Sequence, residues 1–123
     1  MVDTDFPDDL RAAQIRLHQA TAELSALCRT LPWSVEPLAG WEGTEHPHTG
    51  VVTGGRDASP GYTEGQQAAV ERLRTECTDL SVTVAAHPYW DTVEREKRVG
   101  ERMRLKHETL PAAAPVVDVV SAA

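Results

Sequence analysis

Leu10, Ala13, Leu17, Ala20, Leu24, Leu27 and Leu31 recur at alternating spacings of three and four residues. Val70, Leu73, Cys77, Leu80 and Val84 do the same, with His87 next in that register. Such spacing lines up side chains along one edge of an α-helix. The apolar edge is narrow, as in helices that pack lengthwise in coiled-coil fashion. The two seams predict an all-α fold: an antiparallel helical hairpin with a third, shorter helix packed across one end, forming a small helical bundle.

Punctuation residues set the expected boundaries. Residues 1–6 are polar and read as a disordered N-terminus. Pro7 suits a first helical turn, and Asp8 and Asp9 favour the positive end of its dipole. Helix one is expected over residues 7–31, stopped by Pro32. Residues 32–62 hold Pro32, Pro37, Pro47 and Pro60 and six of the eight glycines, Gly40, Gly43, Gly50, Gly54, Gly55 and Gly61. They read as a long irregular loop, although Thr49–Gly55 is compatible with a short hairpin. Thr63 and Gln66 form a capping box that opens helix two, residues 63–86. Asp91 and Glu94 suggest a second box and a third helix over 92–108, with Gly100 a weak point inside it. Residues 7–110 thus make one helical domain, and 111–123 read as a disordered tail.

The chain has 123 residues, 41% of them hydrophobic, but much of that is Ala and Val, with one Phe and two Tyr. A core of small side chains buries little area, so pairing with a second copy is expected to cover seam surface. The net charge of −7 disfavours nucleic acid or an anionic membrane as a partner of the whole molecule. No run approaches the ~20 apolar residues of a membrane span. The acidic start, with Asp3, Asp5, Asp8 and Asp9, is unlike the basic start of a signal peptide. The expected location is the cytoplasm, with Cys28 and Cys77 as reduced thiols.

Helix three reverses the charge of the rest. Residues 94–107 hold six cations and three carboxylates, +3 in a chain of −7, leaving −10 elsewhere. Arg95, Arg98, Arg102 and Lys106 form a basic stripe beside Val99 and Met103. Such a stripe is a solvated face, a grip on phosphates, or a dock for acidic surface in this chain or a second copy. Glu94–Arg98 and Glu101–Arg104 are expected as local ion pairs. Trp33, Trp41 and Trp90 lie outside the seams, either capping the open ends of the bundle or serving as docking anchors. His46 and His48, with Glu42 nearby, resemble metal ligands only loosely, since neither cysteine has a ligand partner at short spacing. No metal or cofactor site is expected, and no nucleophile–base pair or phosphate-binding loop is legible.

The resulting expectation is a small cytoplasmic protein–protein interaction module, a homodimer without catalytic activity. Its interaction residues are Trp33, Trp41, Trp90, Arg95, Arg98, Arg102 and Lys106. The alternative is a small nucleic-acid-binding regulator that uses the basic face of the third helix.

Overall fold

A computed structural model describes residues 5–111. The elements run α1 (Asp8–Cys28), β1 (Thr44–Glu45), β2 (Val52–Thr53), α2 (Glu64–Ala85), short 3-10 turns at Pro88–Thr92 and Arg95–Lys97, and α3 (Arg98–Glu108). The chain divides into two compact units, one reaching to Glu23 and resuming at Leu73, the other covering Leu24–Arg72.

In the first unit the core gathers Phe6, Leu10, Val84, Trp90 and Leu105, with Ala13, Tyr89 and Val93 packed against it. Phe6 meets Tyr89 edge-on at 5.6 Å and Trp90 at 6.2 Å, and Arg104 lies over its ring at 4.2 Å. Asp9 meets His87 at 3.0 Å, and Arg16 grips Glu76 through two nitrogens at 2.6 and 2.7 Å. His87 accepts the Tyr89 amide N–H on Nδ1, so its Nε2 carries the proton donated to Asp9. Gln14 is 2% exposed, and its Oε1 has no hydrogen-bond partner among the described residues.

In the second unit the stretch expected to be an irregular loop is an antiparallel hairpin. Thr44 pairs with Thr53 and Glu45 with Val52, while single bridges join Trp41 to Arg56 and Leu38 to Ser59. The Tyr62 N–H donates to the Val35 carbonyl, and the His46 N–H to that of Val51. All these pairs share one register without a slip, from Val35 to Tyr62. Gly50, at φ 74°, makes the tip turn that a residue with a β-carbon rarely adopts. Gly43 serves closeness instead. A β-carbon there would lie 2.6 Å from Val52 Cγ1 and 2.8 Å from the Thr53 carbonyl oxygen.

The all-α expectation is therefore corrected: a two-stranded antiparallel sheet accompanies the helices. The lengthwise helical hairpin with its irregular loop gives way to two units that each take part of α1 and of α2. The seam residues are nevertheless all buried or half-buried, Leu10, Ala20, Val70, Leu73 and Val84 most fully. The Thr63–Gln66 capping box is present in both directions, at 2.8 and 3.0 Å. Helix α1 stops three residues before the expected end. Thr30 and Leu31 bond three residues back, to Leu27 and Cys28, which tightens the chain out of α geometry.

The second capping box does not form. Trp90 is 5% exposed and its indole N–H donates to the Val84 carbonyl at 2.6 Å. That anchor spends residues 88–94 on a corner, with Val93 and Glu94 extended, so α3 begins only at Arg98. Phe6 is likewise core rather than frayed terminus. It precedes Pro7, whose carbonyl accepts the first helical hydrogen bond from the Arg11 N–H, the position of a hydrophobic staple. Residues 1–4 and 112–123, expected to be disordered, lie outside the described residues.

Candidate interaction surfaces

Helix α3 is amphipathic in an unusual sense. Its inner face is built from Glu101, Arg104, Leu105 and Glu108. Leu105 is fully buried, and Arg104 bonds Glu101 at 2.8 Å and Glu108 at 2.5 Å. Glu108 also takes Arg11 from α1 at 3.3 Å. The Glu101 and Glu108 hydrogen bonds hold the Arg104 pKa above its usual value, and Arg104 in turn holds both carboxyls below theirs. Asp9 is lowered chiefly by its hydrogen bond from His87, and Arg16 is raised chiefly by Glu76. These charges are committed to holding the first unit together.

Among the described residues the outer face leaves its large apolar side chains exposed. Val99 is 69% and Met103 65% exposed, and Leu110 just beyond the helix is 54% exposed. Val99, Arg102, Met103 and Lys106 line a shallow groove of about 230 Å³. A second hollow of about 370 Å³ is lined by His18, Met103, Lys106, His107 and Leu110. Helical positions 99, 103 and 106 fall on one side, away from Leu105. Arg98 and Arg102 flank them. Among the described residues, Arg95, Arg98, Arg102 and Lys106 form no ion pair, while Arg98 Nε donates to the Val93 carbonyl. The expected Glu101–Arg104 pair is present. Glu94 instead approaches Lys97 at 3.7 Å. Arg95 sits in the 3-10 turn ahead of α3, so the helical stripe is Arg98, Arg102 and Lys106.

The second unit carries a surface of opposite charge. Trp33 and Trp41 meet at 5.7 Å with rings 80° apart. The Trp33 N–H donates to the Asp57 carbonyl and the Trp41 N–H to that of Gly54, so the returning strand fixes both rings. Arg56 lies over the Trp33 ring at 4.9 Å. Trp41, Glu42, Glu45, Val52, Arg56 and Asp57 line most of a cleft of about 570 Å³. That volume is within the ~300–1,000 Å³ of ligand-sized clefts. Trp41 is 54% and Val52 60% exposed.

Of the residues singled out from the sequence, Trp33 and Trp41 come together and Arg98, Arg102 and Lys106 share one helix. Trp90 does not join either surface, because it is core. His46 and His48 stand at the hairpin tip with ring centres 5.8 Å apart, the His48 N–H donating to His46 Nδ1. Among the described residues no group of three or more His, Cys, Asp or Glu could hold a metal ion. Cys28 is exposed and Cys77 half-buried beside Thr21 Oγ1 at 3.8 Å. Sequence reasoning missed the acidic cleft, since Glu42, Glu45 and Asp57 are brought together only by the hairpin register.

A family model described as a domain of unknown function, DUF8825, matches residues 9–108. The chain belongs to this family. The DUF8825 match takes in nearly all of α1, the hairpin, α2 and α3, so both surfaces lie within it. No curated protein and no solved structure matches the chain. Among the described residues no helix is long and apolar enough to cross a membrane.

Proposed function

We propose that this protein is a protein–protein interaction module that docks a partner on the outer face of α3. The observation that carries this reading is the exposure of Val99 and Met103, 69% and 65%, on a helix whose opposite side is buried. Leaving two large apolar side chains in water on a rigid helix is a cost that a partner removes, at roughly 25 cal/mol per Å² covered. The unpaired cations alongside add register and partner choice more than affinity. The reading involves no catalysis, and it places the protein in the cytoplasm, in keeping with an exposed, unpaired Cys28.

The apolar centre of the face favours protein over nucleic acid, because interfaces with nucleic acid are more polar and more positively charged than those between proteins. A photoreactive side chain at position 103, with a control at the exposed Glu71, tests the reading in intact cells. Protein adducts at 103 and none at 71 are expected. Nucleic-acid adducts at 103, or none at all, overturn it.

A further inference from the structure

We infer that the partner is a second copy of this chain: the outer face of α3 in one molecule docks in the acidic hairpin cleft of another. This rests on the reading of α3 as a docking face and names what it docks on. The two surfaces are complementary in both respects that matter. One offers Val99 and Met103 with Arg102 and Lys106 beside them; the other offers Trp41 and Val52 with Glu42, Glu45 and Asp57.

The charges on each side are free to engage. Among the described residues Arg102 and Lys106 form no ion pair, and neither do Glu42, Glu45 and Asp57. Arg56, the one cation lining the cleft, is held over the Trp33 ring, so three carboxylates there face one guanidinium already engaged. A thioether against an indole is a favourable contact, which suits Met103 to Trp41. The indole needs no rearrangement to receive it, because the Gly54 carbonyl already fixes its N–H.

Like surfaces do not serve. Two α3 faces set against each other oppose Arg102 and Lys106 with their own kind, and two clefts oppose carboxylates with carboxylates. The chain therefore recognises itself through unlike surfaces, an association that runs from molecule to molecule unless its rotation closes.

The test uses the full chain and two charge-reversed variants, all at exposed positions. One carries Arg102→Glu with Lys106→Glu, the other Glu42→Arg with Glu45→Arg, and circular dichroism verifies that each is folded. Light scattering after size exclusion is expected to find the unaltered chain associated at low salt and shifted to monomer as salt rises. Each variant alone is expected to be monomeric, since its two surfaces now share a sign. Mixed together they are expected to associate, because the reversed helix of one fits the reversed cleft of the other while the unaltered pair also matches. A monomeric unaltered chain, association indifferent to either reversal, or a mixture that stays monomeric overturns the inference. The first outcome, with adducts at position 103 to a different protein, leaves the interaction reading standing and removes only the self-pairing.

Discussion

Phe6→Ala tests whether the residue just ahead of α1 belongs to the core. The ring is 4% exposed, packed against Tyr89 and Trp90 and covered by the Arg104 guanidinium at 4.2 Å. An aromatic ring burying ~150–200 Å² at ~25 cal/mol per Å² accounts for roughly 4–5 kcal/mol, an upper bound because the unfolded chain also hides some of it. The cation over the ring adds about 0.5–1 kcal/mol. Truncations of this kind cost ~3–5 kcal/mol, against a total of ~6–18 kcal/mol at 0.05–0.15 kcal/mol per residue. Urea unfolding followed by circular dichroism at 222 nm is expected to show a midpoint lowered to match, with little change in slope. Phe6→Leu keeps most of the volume and loses the ring contacts, so its loss is expected to be the smaller, about 1–2 kcal/mol. A loss below about 1 kcal/mol for Phe6→Ala would refute the argument, because no buried ring is removed so cheaply.

Gly43→Ala is expected to break the hairpin register at ~1–3 kcal/mol, because its β-carbon meets the Thr53 carbonyl. Loss of amide exchange protection at Trp41 and Arg56, with α1 and α2 unaffected, checks it. Gln14→Met is expected to raise stability by about 1–2 kcal/mol in urea, since a buried acceptor without a partner is replaced by an apolar side chain of similar length. A destabilised variant would show that the contact of Gln14 Nε2 with His18 Nε2, at 3.5 Å, outweighs the orphaned oxygen. Asp9, Glu101 and Glu108 have folded pKa values below their ordinary ones. Their contribution is present above the unfolded pKa of about 4 and is lost as pH falls through the folded values. Stability is therefore expected to decline below about pH 4, and Arg104→Gln to flatten that decline; equal acid slopes in the two proteins would count against the Arg104 network.

How much of this was legible beforehand varies from element to element. The seam residues announce themselves because a repeat of three and four is a local property of the chain, and their burial follows wherever each helix packs. The capping box at Thr63 and Gln66 is equally local and forms as read. Asp91 and Glu94 carry the same local pattern, yet Trp90 reaches the Val84 carbonyl and turns the corner into the core. A hydrogen bond back to α2 and an indole buried against Phe6, Leu10 and Leu105 outweigh a cap of about 1 kcal/mol.

Glycines and prolines between residues 32 and 62 read as looseness because sequence spacing does not distinguish freedom from closeness. Only the opposing strand shows that Gly43 is needed to let it approach. The cleft depends on the same pairing, since Glu42 and Asp57 become neighbours through strand register and not through sequence. Sequence by itself determined that α1 and α2 form and which edge of each is apolar, since those depend on contacts three or four residues apart. Tertiary structure alone decided what those edges pack against, that the connection is a hairpin, and that Phe6 and Trp90 are core. Those outcomes rest on contacts between residues far apart in the chain, whose free energies exceed any local preference.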